Sequence, residues 1–234
     1  RQEALRKELE LAAKMQQMLI PEDLNTQQGS FISASGFYFP HYEVGGDYYD
    51  YIRLSSRKTG FCIADVSGKG LPAAILMSNF QASLRALFTE DISLVNLIEK
   101  LNGLIMANAG GEKFITLFVA RFDSEDGTLE YINAAHNPPV LYDTVRDEVR
   151  HLGPLCVGIG MLDEIPPFKS VTLHIDNYSK LVCYTDGLSE LKGSDGKEIT
   201  THEIIKVIRN NEPAGENVSV MLQKLGIPDR NPSV

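Results

Sequence analysis

The first 20 residues, RQEALRKELELAAKMQQMLI, carry a helical pattern. Leu5, Leu9, Ala12, Gln16 and Leu19 follow steps of four and three, and Ala4, Glu8, Leu11, Met15 and Met18 repeat those steps on the adjacent face. No Gly, Pro or β-branched residue interrupts the run before Ile20, and Pro21 ends it. The apolar stripe is wider than a strict coiled-coil seam. The helix is therefore expected to dock at its C-terminal end and to pair with a second copy of the chain upstream; simple docking is the alternative.

Beyond Pro21 the pattern shortens to strands. FISASGFYFP and DYYDYIRL are aromatic and β-branched, and GFCIADV is a nearly continuous apolar run suited to a buried strand. LPAAILMSNFQASLRALFTE turns helical, with Ala74, Met77, Ser78, Gln81, Leu84 and Leu87 at steps of three and four, and ISLVNLIEKLNGLIMANA predicts a second helix. Strands return at FITLFVARFD, GTLEYINAA, PPVLYD, VTLHID and KLVCYTDG, followed by the helices THEIIKVIRNN and ENVSVMLQKLG. Strands, a helix pair, more strands and closing helices predict an α+β fold, most economically an antiparallel sandwich flanked by helices.

Composition narrows the function. The 234 residues are 43% hydrophobic and 23% charged, as in globular domains. The net charge of −9, with no Lys/Arg cluster, argues against nucleic acid or an anionic membrane as the main partner. Such a chain handles phosphate only where metal ions supply positive charge. The three cysteines, Cys62, Cys156 and Cys183, are widely spaced and form no C-x-x-C pair, so neither a zinc site nor a disulfide framework is expected. A reducing cytoplasm is the expected location. No apolar run is long enough to span a membrane, and the N-terminus is no signal peptide. It lacks an initiator Met, so the chain is expected to be part of a longer protein, whose upstream region could carry a membrane anchor.

Candidate chemistry gathers at strand ends. In VGGDYYDY a glycine pair leads into Asp47, with Asp50 three residues on; in CIADVSGKG an apolar strand ends at Asp65; in LVCYTDGLSE another ends at Asp186. Rigid strands aim such carboxylates, and their mutual repulsion at low dielectric calls for a cation. Oxygen-only ligation without His or Cys suits Mg²⁺ or Mn²⁺. A plain turn is the alternative for any single Asp-Gly.

Four ordered segments, VGGDYYDY, IADVSGKGLPAAILMS, INAAHNPPVLY and LVCYTDGLSE, resemble the SpoIIE/RsbU-type branch of the metal-dependent PPM protein phosphatases. The similarity runs from about residue 12 to 192, with AAKMQQMLIP resembling the helix that enters these domains. The resemblance implies a four-layer α-β-β-α sandwich over residues 22–234, preceded by a linker helix over residues 1–21. It also implies two divalent ions, Mn²⁺ or Mg²⁺. Asp47 and Asp65 would ligate the pair, Asp186 would complete one shell, and the Val66 backbone carbonyl would be a further ligand. The substrate class it implies is phosphoserine or phosphothreonine on a regulatory protein, in this branch a phosphorylated STAS-domain anti-anti-sigma factor. An upstream sensor domain and a homodimer through the N-terminal helix are the expected partners.

A metal-bridged water has its pKa lowered toward neutrality and attacks phosphorus in line, so no serine or cysteine nucleophile is required. That leaves Gly46, Asp50, Ser67, Lys69, His136 and Asn137 as supporting or substrate-side candidates, Asp50 as a structural carboxylate or a partner of the metal ligands. His136 is either a proton donor to the leaving oxygen or a turn histidine, with Asn137 capping the bend before Pro138 and Pro139. Lys69 and the helix entry at Pro72 are either charge for a phosphate or an ordinary Gly-Lys turn. GPLCVGIG, residues 153–160, is expected to be a loop near the substrate face, since it does not fit a dinucleotide fingerprint.

The family closes on Asp-Asp-x-Thr, whereas this sequence ends GIPDRNPSV with Asp229 alone. Either the sequence stops short of the motif or the protein lacks it; both leave metal binding weak and turnover slow. The alternative function is a catalytically impaired domain that grips a phosphorylatable partner. GGDYYD also superficially resembles the diguanylate cyclase signature, but Tyr48 stands where that motif needs an acid.

Overall fold

The computed structural model describes residues 2–21, 24, 32–39, 44–175, 178–190 and 199–226. The chain forms two compact units. The first comprises residues 1–22, 39–138 and 153–175; the second comprises 23–38, 139–152 and 176–234.

The first unit starts with α1 (Gln2–Gln17). Its five-stranded antiparallel sheet has the order β1 (Tyr48–Arg53), β2 (Lys58–Val66), β3 (Ile115–Asp123), β4 (Thr128–Ala134) and β7 (Val171–His174). Between β2 and β3 the chain makes α2 (Leu71–Leu87) and α3 (Leu94–Ala109). Gly70 begins α2 at a positive φ of 73° with Pro72 in the first turn, as the sequence predicts. Ser93 caps α3 by accepting from the Asn96 N–H, and Gly110 ends it in the left-handed conformation.

Alternation along β2 fixes which side chains meet the helices. Gly60, Cys62, Ala64 and Val66 are buried, whereas Phe61, Ile63 and Asp65 are half-buried on the other face. The register pairs Tyr48 with Ala64 and Asp50 with Cys62, placing Tyr48 and Asp50 on the helix-covered face. There Tyr48 meets Phe80 of α2 edge-on, ring centres 6.1 Å apart. Gly60 makes room for Phe88: a Cβ at residue 60 would lie 2.5 Å from the Phe88 ring. Gly60→Ala is therefore expected to overpack this core and cost roughly 1–3 kcal/mol, read as a lower urea midpoint with an unchanged slope.

The second unit holds a three-stranded antiparallel sheet, β6 (Glu148–His151), β5 (Val140–Asp143) and β8 (Ser179–Val182) in that order. It also holds α4 (Asp186–Glu190), α5 (Thr201–Ile208) and α6 (Ala214–Lys224). Val140, Tyr142 and Ile208 form a buried cluster in it, with Val149, Val182, Tyr184 and Ile205 packed around them. Thr200 and Glu203 form a reciprocal capping box at the start of α5. At the other end, the Lys180 ammonium donates to the carbonyls of Ile208 and Asn210 at 3.1 and 2.7 Å and to the side chains of Asn210 and Asn217. A cation there satisfies carbonyls that a helix end leaves over, and burial lowers its pKa.

Some strand expectations change. FISASGFYFP forms no strand over the described residues 32–39, because aromatic content marks a surface that fits a ladder without supplying one. KLVCYTDG is strand only as far as Val182. Asp229 lies outside the described residues. Among the described residues no helix is long and apolar enough to cross a membrane.

None of the three cysteines takes part in a disulfide. Burial pushes the Cys156 thiol up to about 11 and the Cys183 thiol up to about 12, and Cys62 is buried in β2. Fewer than about 1 in 1,000 of the first two are thiolate at pH 7.5. Iodoacetamide at that pH is expected to leave the native thiols unmodified while it alkylates the denatured chain fully, as read by mass spectrometry.

Candidate metal centre

The β1–β2 ladder continues past the formal start of β1. The Val66 N–H donates to the Gly46 carbonyl at 3.3 Å, two residues beyond the Tyr48–Ala64 pair. In that register Asp47 stands directly opposite Asp65. Because a bonded pair alternates with an unbonded one, Asp47 and Asp65 occupy the closer, unbonded type of pair, with side chains on the same face. Like charges directly opposite each other repel, and a cation between them converts that repulsion into ligation. The neighbouring turn depends on glycine: a Cβ on Gly46 would lie 2.8 Å from the Val66 carbonyl oxygen. Two carboxylates and a backbone carbonyl thus lie at one sheet end, and hard oxygen donors of this kind suit Mg²⁺ or Mn²⁺.

The next strand extends the row. Thr116 of β3 pairs with Asp65, and its hydroxyl lies 2.9 Å from His136 Nδ1. His136 is buried. Its backbone N–H donates to Asn133 Oδ1 at 2.8 Å, and its carbonyl accepts from Asn133 Nδ2 at 3.1 Å. These are the contacts of a turn histidine. Asn133, rather than Asn137, closes the bend, and Ala135 takes a positive φ of 55° within it.

Ser67 secures the loop after β2. Its backbone N–H donates to the Phe114 carbonyl at 2.8 Å, and its hydroxyl accepts from the Phe114 N–H at 2.9 Å. Lys113 also reaches this loop and donates to the Ser67 carbonyl at 3.1 Å; Lys69 is exposed. Gly68, at a positive φ of 88°, leaves room for the Lys113 ammonium, which would lie 2.6 Å from a Cβ there. Residues 153–160 form a loop bridged to the sheet at Ile115–Ile159 and Ala134–Cys156.

Asp50 lies apart from the pair. Its even position in β1 turns it to the helix-covered face, where Arg85 of α2 donates at 2.7 and 2.8 Å, the Tyr51 N–H donates at 2.8 Å and the Tyr48 hydroxyl donates as well. Burial raises the Tyr48 pKa, reinforced by Cys62 and Asp50; the hydrogen bonds to Asp50 raise that of Arg85. Asp50 thus acts as a structural carboxylate. Asp186 is the exposed first residue of α4, in the second unit, four residues beyond the end of β8. Among the described residues, no three His, Cys, Asp or Glu side chains form a metal-holding group; of the four candidate aspartates, the register brings together Asp47 and Asp65.

The family model of stage II sporulation protein E (SpoIIE) matches residues 55–230. The chain belongs to the SpoIIE family. It is 26% identical over 195 residues to the phosphoserine phosphatase RsbU of Bacillus subtilis, covering 83% of this chain and 57% of RsbU. Its fold resembles the PP2C domain of SiaA from Pseudomonas aeruginosa, with a TM-score of 0.75 at 18% identity over 98% of this chain and 94% of that one. It also resembles RsbX, whose structure contains magnesium, with a TM-score of 0.61 at 15% identity over 77% and 80% of the two chains. Two antiparallel sheets with helices and an N-terminal helix are thus the PP2C-type arrangement.

Proposed function

We propose that this SpoIIE-family chain is a metal-dependent protein phosphatase acting on phosphoserine or phosphothreonine. The observation that carries the reading is the register that sets Asp47 opposite Asp65 beside the Val66 carbonyl. These three groups would hold two divalent ions, with Asp186 completing one shell. When bound, such ions supply a hydroxide near neutral pH and offset charge on the phosphoryl oxygens. Gly46 keeps the backbone close enough for that donor set, Ser67 and Lys113 fix the loop behind it, and Thr116 with His136 buttresses the sheet end. The Ser67 hydroxyl is engaged with the start of β3, which argues against a covalent serine route.

The expected substrate is a phosphorylated STAS-domain protein, and residues 22–234 are read as the catalytic domain after a linker helix over 1–21. The row Leu11 and Met15 on α1, continued by Met18 just past its end, is exposed, which supports pairing with a second copy through that helix. An upstream sensor acting through α1 fits the same reading. Incubation with a serine-phosphorylated STAS protein and MnCl₂ is expected to release phosphate, and EDTA to stop it. Tight capture of the phosphoprotein without release would instead indicate a binding module.

A further inference from the structure

The best-defined contact on the metal-binding turn comes from α1. Gln16 is buried, 29 residues from Gly45 in sequence, and its carboxamide grips both faces of that residue: Nε2 donates to the Gly45 carbonyl at 2.6 Å and Oε1 accepts from the Gly45 N–H at 3.0 Å. The pairing imitates one rung of a β-ladder. Gly45 immediately precedes Gly46, whose own carbonyl is held by Val66 at 3.3 Å. The glycine pair that permits the close approach to Val66 is also conformationally permissive. Left to itself, such a segment samples many backbone states, and fixing each residue costs roughly 1–2 kcal/mol of entropy. A bidentate clamp on one side and the β2 ladder on the other remove that freedom just before Asp47.

The surroundings anchor the clamp. Ile20 and Val44, near the two ends of the clamp in sequence, are buried, and the Tyr49 hydroxyl donates to the Pro21 carbonyl at 3.2 Å. In line with the buried Gln16, Leu9, Ala12 and Leu19 are half-buried, while Leu11, Met15 and Met18 stay exposed. Gln16 is the single polar residue in that docked row, where an aliphatic side chain would satisfy the packing alone.

We infer that Gln16 is a positioning residue for the metal centre: by clamping Gly45 it sets the Asp47 carboxylate in register with Asp65, so metal affinity depends on a docked α1. The inference rests on Asp47 being a metal ligand. Gln16→Met keeps side-chain volume and removes both hydrogen bonds; Gln16→Ala removes the side chain; Gln17→Ala, on the exposed side of the same helix, is the control.

Two measurements separate this inference from the metal reading beneath it. Hydrogen exchange on the metal-free protein is expected to show the peptide over residues 44–48 exchanging at least tenfold faster in Gln16→Met, with β2 and β3 unchanged. Calorimetric titration with MnCl₂ is expected to show at least tenfold weaker binding in Gln16→Met and Gln16→Ala, with Gln17→Ala matching wild type and the Gln16→Met unfolding midpoint within a few degrees of it. A merely structural Gln16 would lower the midpoint and leave the manganese constant unmoved, which would overturn the inference. Unchanged exchange at 44–48 would overturn it as well, whatever the metal does. Absence of manganese binding in wild type, with the exchange effect present, would sink the metal reading and with it the role assigned to the clamp.

Discussion

Asp65→Asn is expected to reduce manganese-dependent phosphoserine hydrolysis by more than about 100-fold, since even the partners of metal ligands are commonly worth 10–100-fold. Asp65 shares one face of the β1–β2 ladder with Asp47, and no other strand position brings a second carboxylate opposite it. The stability readout is independent of turnover. Metal that binds only the folded state stabilises wild type by about 2.7 kcal/mol at a concentration one hundred times its dissociation constant. The variant should gain far less from the same manganese. Without metal the two proteins should differ by less than about 1 kcal/mol, the scale of a cross-strand pair. Equal stabilisation of both by manganese would place the metal elsewhere.

Arg85→Ala is expected to destabilise the first unit by roughly 3 kcal/mol, the low end of the range for breaking a buried ion pair from one side. The Asp50 side chain is fully buried, whereas that of Arg85 is 50% exposed, so the lost partner is one that retained some solvation. The carboxylate would keep the Tyr48 hydroxyl and the Tyr51 N–H but lose its countercharge. Urea denaturation of Arg85→Ala, Asp50→Asn and the double variant measures the coupling. Asp50→Asn removes the charge that Arg85 balances, so the double variant should lose less than the sum of the two singles. Strict additivity would mean that the pair behaves as a surface contact.

Much of the fold was legible because its elements are locally consistent. DYYDYIRL, GFCIADV, FITLFVARFD and GTLEYINAA have composition, length and partners that agree, and they became β1 to β4. FISASGFYFP has the composition alone, and no strand appears over 32–39. The short strand EVRH is not legible in the sequence, because four mostly exposed residues carry no alternating apolar signal. Asp47 and Asp65 were visible as carboxylates at strand ends, but only the register shows that they oppose each other. The same register separates Asp50 from them: parity along β1 is a sequence property, whereas which face the helices cover is not. In the sequence Gln16 is one member of an apolar stripe. A buried amide in such a row was a cue to a backbone partner, yet that partner lies 29 residues away. Lys113 and Thr116 sit inside ordinary strand-entry sequence, and no local pattern distinguishes them.

The most direct test of the Asp47–Asp65 centre is calorimetric titration of manganese into wild type and Asp47→Asn, both folded by circular dichroism. If the opposed carboxylates hold the metal, wild type binds with a measurable enthalpy and the variant loses at least about tenfold in affinity. Identical isotherms would show that the register pairs two carboxylates that ligate nothing, and would contradict the phosphatase reading at its base.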